Sequence, residues 1–189
     1  MLTINKLIPR GQGLAPVLLK RASSIDLDWD VRQKSRFDTT DAAGRHLGVF
    51  LPRGTAVRGG DVLVAEDGSL ISVIAAKQPV MTIRACAEHG SPFDLVRAAY
   101  HLGNRHVQIE LRPEYLRIEP DPVLAQMLRR MHLIVSEEHA PFEPEAGAYQ
   151  GAGDSHHGHA HAHDHDGHDH AQHHDHGHDH GDHDHKDHP

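Results

Sequence analysis

Sixteen histidines crowd the last thirty-four residues of this 189-residue chain: His156, His157, His159, His161, His163, His165, His168, His170, His173, His174, His176, His178, His180, His183, His185 and His188. Eight aspartates interleave them, with Gly and Ala between and almost nothing that could build a core. Imidazole nitrogen suits Ni²⁺, Cu²⁺ and Zn²⁺, and with a free pKa of ~6.5 most such rings are neutral and able to ligate near neutral pH. The chemistry this pattern points to is metal binding. An expression tag would be an unbroken histidine run, whereas here only His156-His157 and His173-His174 are adjacent. A merely solvated tail would need Asp and Gly but no histidine. As a disordered coil the segment would have a root-mean-square reach of about 30 Å and an extended limit of about 110 Å, enough to present rings to an ion held on a folded body.

Six histidines lie elsewhere: His46, His89, His101, His106, His132 and His139. His132 reads as the end of a helix, where a cation gains from the macrodipole, and His46 lies in a polar turn region. Cys86-Ala-Glu-His89 has a chelating spacing but no second pair to close a site. His101 and His106 bracket a helix end in Tyr100-His-Leu-Gly-Asn-Arg-His106. With Val107, Ile109 and Leu111 taken as the core-facing side of a strand, His106, Gln108, Glu110 and Arg112 line the other face, open to a partner. One histidine holds a metal poorly, yet a two-fold dimer that brought His106 to its axis would supply two.

The elements that must carry these residues fall into two groups. Residues 1–77 read as a β-rich domain, with strands at Ala15–Arg21, Phe37–Thr40, Leu47–Pro52, Asp61–Glu66 and Leu70–Ala75. Asp67-Gly68 between the last two predicts a hairpin with a tight primed turn. Residues 78–149 change pattern. Val80–Ala85 reads as a strand, and Ser91-Pro92-Phe93-Asp94 as a helix start with Pro at the first helical position. Leu95, Val96, Ala99 and Leu102 follow at helical spacing, with Gly103 placed to end the helix in a left-handed conformation. A hairpin of Val107–Leu111 with Leu116–Ile118 comes next. Asp121-Pro122 then opens a second helix carrying Val123, Leu124, Met127, Leu128 and Met131 on one face, and His132–Val135 begins a last strand. The order β-α-β-β-α-β is that of a ferredoxin-like domain, so the expected class is α+β, with residues 150–189 as a disordered His/Asp-rich tail.

Charge excludes several functions. The formal charge of −8 arises wholly from residues 151–189, which hold nine Asp, no Glu and one Lys; residues 1–150 carry eighteen acidic and eighteen basic groups. A neutral body offers no basic footprint for nucleic acid. No Gly-x-Ser-x-Gly, His-Glu-x-x-His or phosphate-binding Gly-x-x-x-x-Gly-Lys-Ser/Thr motif occurs, which argues against an enzyme. The single cysteine, Cys86, excludes an intrachain disulfide and fits a reducing compartment. No apolar stretch has the length of a signal peptide core or a membrane span, so the expectation is a cytoplasmic protein.

Four stretches in order resemble the urease accessory nickel chaperones, the UreE family: Lys34-Ser-Arg-Phe37 with Thr39-Thr40, Gly48-Val-Phe-Leu-Pro-Arg-Gly54, Tyr100-His-Leu-Gly-Asn-Arg-His-Val107, and Pro141-Phe-Glu-Pro-Glu-Ala-Gly-Ala-Tyr149 before a His-rich end. The resemblance implies a β-rich domain akin to a peptide-binding module and a ferredoxin-like domain that binds metal and forms a homodimer. It gives His106 the position of the interfacial ligand. Some members have two further histidines before the second helix of that domain; the matching Ile118-Glu-Pro-Asp-Pro-Val123 has none. The implied function is capture of Ni²⁺ and its delivery to the urease apoprotein complex, with GTP hydrolysis supplied by a partner GTPase. Zn²⁺ and Cu²⁺ are competitors, because the stability order for nitrogen sites does not single out nickel. A nickel or zinc store, or a detoxifying sink, needs the same ligands and is the alternative.

Overall fold

A computed structural model describes residues 1–146. The sixteen tail histidines, and the expectation of a disordered tail from residue 150, lie outside the described residues.

The N-terminal half forms a six-stranded sheet. Its strands are β1 (Leu2–Ile8), β2 (Ser23–Leu27), β3 (Arg36–Thr40), β4 (His46–Phe50), β5 (Val62–Ala65) and β6 (Leu70–Ala75), ordered β2-β6-β5-β1-β4-β3. The pairs β1–β4 and β2–β6 are parallel and the others antiparallel. Ile4, Ile25, Leu47, Leu63 and Ile71 make the centre of its core. Two short helices join the strands: α1 (Pro16–Arg21) and α2 (Trp29–Arg32).

Three features depart from the sequence expectation. Ala15–Arg21 is not a strand: Pro16 starts a surface helix at its first turn, and none of its residues is buried. A short apolar run does not distinguish the two conformations by period, and here the proline and the Leu, Lys and Arg that follow favour helix. β1 and β2 are additions. The hairpin joining β5 to β6 is present, but its turn is not the primed two-residue kind. Gly68 alone has positive φ (+81°), the Gly68 N–H donates to Ala65 O at 2.9 Å, and the Ala65 N–H donates to Ser69 O at 2.9 Å. That is a three-residue connection with glycine in the left-handed position, and the Asp67 carboxylate accepts the Ser69 N–H instead.

The C-terminal half is ferredoxin-like. Strands β7 (Lys77–Ala85), β8 (Glu110–Leu111), β9 (Leu116–Ile118) and β10 (Leu133–Pro141) form an antiparallel sheet ordered β10-β7-β9-β8. β9 inserts between β7 and β8, the two strands joined through helix α3 (Pro92–Gly103), and α4 (Pro122–Arg130) links β9 to β10. Both helices start as expected. The Asp94 carboxylate accepts the Ser91 N–H at 2.8 Å, and Asp121 accepts the N–H groups of Val123 and Leu124 at 2.8 and 2.9 Å. Leu95, Ala98 and Leu102 of α3 and Ala125 and Leu128 of α4 share one core with Met81, Ile83, Ile118 and Leu133 of the sheet. Val123, grouped by spacing with the apolar face of α4, is 73 % exposed in the first turn of the helix.

A third cluster ties the halves together: Trp29 from α2 packs with Val80, Ala140 and Phe142. Beside it the fully buried Arg32 donates to Leu27 O at 3.0 Å, Phe142 O at 2.6 Å and the Glu143 carboxylate at 2.7 Å. Burial lowers the Arg32 pKa from its ordinary value, and the Glu143 carboxylate opposes that. Arg58 and the Gly59 N–H also donate to Glu143. Replacing Arg32 by Ala should strand these acceptors and leave a cavity, costing about 3 kcal/mol. The expected drop in Tm is about 10 °C, measured by circular dichroism; a drop under about 2 °C would show that the clasp is dispensable.

Candidate metal centre

His106 sits where α3 ends, and the local backbone explains its display. The Val107 N–H donates to Leu102 O at 3.2 Å and the His106 N–H to Gly103 O at 2.9 Å, the paired bonds of a Schellman motif. The left-handed residue such a motif needs is His106 itself, at φ +57°; Gly103 stays within the helix and has no positive φ. The expectation for Gly103 is therefore corrected in part: it is the last residue of the helix, but the left-handed reversal comes three residues later, at His106. Leu102 and Val107 close the motif by packing into the core, and His106 is left exposed.

The expected alternation after His106 holds only in part. Val107 and Ile109 pack against the core and Gln108 is exposed, but Glu110 is 2 % exposed and Leu111 is 45 % exposed, the reverse of the pattern. Polar partners account for the inversion. The Glu110 carboxylate accepts the Arg112 Nε–H at 2.9 Å and the Glu143 N–H at 3.0 Å, with Arg117 at 3.8 Å. A buried carboxylate so supplied is stable where an unpaired one would not be.

The other histidines do not join His106. The His101 ring stacks edge-on against Tyr100, with centroids 5.4 Å apart. His46 Nδ1 lies 3.2 Å from Thr40 Oγ1. His132 follows α4 in a second left-handed position, at φ +63°, with its N–H on Arg129 O at 3.0 Å. His139 lies on β10 opposite Pro79. Among the described residues no three His, Cys, Asp or Glu side chains converge on a point that could hold an ion. His106 would need donors from elsewhere.

Cys86 and His89 do meet, Sγ to Nδ1 at 3.9 Å. That hydrogen bond first, then backbone N–H groups at His89 and Glu88, lower the thiol pKa to about 7. Alkylation of Cys86 by iodoacetamide, followed by mass spectrometry, should reach half its maximal rate near pH 7. In His89→Ala the midpoint should move up toward the ordinary thiol value of ~8.5, and an unmoved midpoint would remove His89 as the cause.

Two surroundings of His106 were not singled out in the sequence. An apolar stripe of Phe93, Val96 and Tyr100, 64, 59 and 66 % exposed, runs along the outer face of α3 toward its C-terminal end. A cavity of about 500 Å³ between the two halves is lined by His106, Gln108, Trp29, Arg58 and Glu145, among others. By spacing Val96 goes with Leu95, Ala99 and Leu102, yet it is exposed beside Phe93 and Tyr100 rather than packed with that set in the core. Nothing local in the sequence brings Trp29 to within reach of Gln108.

A β-rich module clasped to a ferredoxin-like domain that displays an exposed imidazole just past a helix end defines a two-domain α+β protein. Among the described residues no helix is long and apolar enough to cross a membrane. The chain belongs to the UreE family of urease accessory proteins: residues 4–76 match the family's N-terminal domain and residues 78–188 its C-terminal domain. It is 73 % identical over 153 residues to the urease accessory protein UreE of Paracidovorax citrulli, covering 81 % of this chain and 73 % of that protein. The UreE of Verminephrobacter eiseniae is 68 % identical over 161 residues, covering 84 % and 96 %. That of Methylibium petroleiphilum is 74 % identical over 149 residues, covering 79 % and 69 %.

Proposed function

We propose that this chain is a cytoplasmic nickel metallochaperone that captures Ni²⁺ and delivers it during urease maturation, without turning over a substrate. Family membership supports the role in urease maturation. The observation that carries the metal reading is His106, exposed at the left-handed end of α3 in a chain with sixteen further histidines after residue 155. A lone imidazole is a weak ligand, and the apolar stripe of Phe93, Val96 and Tyr100 supports a second copy of the chain as the source of another. Two His106 rings across a two-fold axis, joined by tail histidines, would make a nitrogen-rich site for a borderline-soft ion. Exchange of one imidazole for another then moves the ion without release to bulk water.

Nickel as cargo follows from the family and not from ligand softness, since Cu²⁺ binds nitrogen donors more tightly and Zn²⁺ comparably. The urease apoprotein complex and its accessory GTPase are the proposed partners, because this sequence has no phosphate-binding loop of its own. The histidine count equally favours a second reading, a nickel or zinc store. Transfer kinetics separate the two. Nickel loaded on the protein should activate apo-urease faster than the same nickel held by a small-molecule chelator of equal affinity; equal or slower activation would favour the store.

A further inference from the structure

Residues 107–109, which follow His106, belong to neither helix nor strand. Three kinds of contact hold this stretch. The Schellman bonds tie it to its own helix, the Ile109 carbonyl accepts the Glu145 N–H at 2.8 Å, and the Gln108 side chain reaches the N-terminal domain. Gln108 Oε1 accepts the indole N–H of Trp29, and Gln108 Nε2 donates to Gln33 Oε1 at 3.4 Å. Trp29 opens α2 and Gln33 closes it.

Trp29 is held by several partners. Its backbone N–H donates to Gln78 Oε1 at 2.8 Å, and Phe142 meets its ring edge-on at 6.4 Å. The guanidinium carbons of Arg58 and Arg32 lie 4.8 and 5.3 Å from its ring centroid. A donor fixed in this way, gripping a side chain two residues from a ligand, transmits its own rigidity to the ligand. Partners beyond the first ligands act on metal affinity in this manner, by removing the orientations that do not bind.

We infer that the N-terminal domain is part of the His106 site: Trp29 is a positioning residue that sets the His106 segment through Gln108. The inference rests on His106 being a metal ligand and adds how it is held. The β-rich domain thereby holds the segment that carries His106 beside the inter-domain cavity that His106 lines.

The test uses the full-length chain titrated with Ni²⁺ by calorimetry, following the binding step that disappears in His106→Asn. Trp29→Phe keeps an aromatic ring but loses the N–H, and Gln108→Leu loses the acceptor. Each should weaken that step about tenfold, and the double variant should be no weaker than either, because both act through one bond. Gln108→Glu, which retains an acceptor, should restore near-native affinity. With Cu²⁺ in place of Ni²⁺, the paramagnetic resonance signal of that step should broaden in Trp29→Phe and Gln108→Leu and stay sharp in Gln108→Glu, with Tm unchanged in the two Gln108 variants, whose side chain is exposed. Native affinity in Trp29→Phe and Gln108→Leu, alongside loss of the step in His106→Asn, would overturn the inference and leave the ligand assignment standing. Retention of the step in His106→Asn would remove the assignment, and the inference with it.

Discussion

Deleting residues 155–189 should remove most of the nickel that the chain binds, about three to four ions per chain, and leave a single class of site on the body. The estimate is a ligand count: the deleted segment contains sixteen imidazoles, and nickel in nitrogen sites takes about four to six donors. Aspartates add charge but are harder, weaker ligands for this ion, so they alter attraction more than capacity. The body should survive the deletion, because the two sheets and three hydrophobic clusters of the described residues lie within residues 1–142. Equilibrium dialysis near neutral pH reads the stoichiometry. Capacity in the full-length chain should fall as pH drops through about 6, where protons compete for imidazole, and the truncated chain should lose much less in absolute terms. An unchanged stoichiometry on truncation would mean that the histidine-rich segment is not the reservoir.

Local chemistry explains which parts of the fold were legible in the sequence. The starts of α3 and α4 were readable because Ser91-Pro92-Phe93-Asp94 and Asp121-Pro122 satisfy helix N–H groups within three residues of themselves. The order of strands and helices in the C-terminal domain followed from those starts and from period-two runs, and with the order came the split arrangement of β7, β9 and β8. α3 ends at Gly103 as expected, but its left-handed residue lies three positions further on. A glycine signals a left-handed residue only if the chain reverses there, and the packing of Val107 against the core shifts the reversal to His106. Glu110 was misread for a related reason: its partners Arg112, Arg117 and the Glu143 N–H come partly from distant segments, and only they make a buried carboxylate tolerable. α1 failed because six residues of mixed apolar and basic character carry no period. Of the candidate site, the exposure of His106 was readable; its backbone conformation and its link to Trp29 were not, since both depend on tertiary contacts.

That backbone conformation decides how the second large effect must be measured. Replacing His106 in the truncated chain should abolish its remaining nickel site, lowering affinity by about a hundredfold or more, because among the described residues no three donors converge and the one Cys86–His89 pair is too few for a tight site. Alanine is a poor choice of replacement. At φ +57° a Cβ-bearing residue without a local hydrogen-bonding side chain costs about 1–2 kcal/mol, so His106→Ala would loosen the end of α3 while removing the imidazole, and lost binding would have two explanations. Asn tolerates the left-handed region and Gly prefers it, so His106→Asn and His106→Gly keep the Schellman motif and remove only the ring. Both should unfold within about 3 °C of the parent, since a few tenths of a kcal/mol is all that separates residues suited to this position. Calorimetric titration with Ni²⁺ then isolates the ligand. If both variants keep the parental affinity, His106 is a helix-terminating residue that happens to be a histidine, and the metal site of the body must be sought at Cys86 and His89; if both lose it while Tm holds, imidazole is what the left-handed position was displaying.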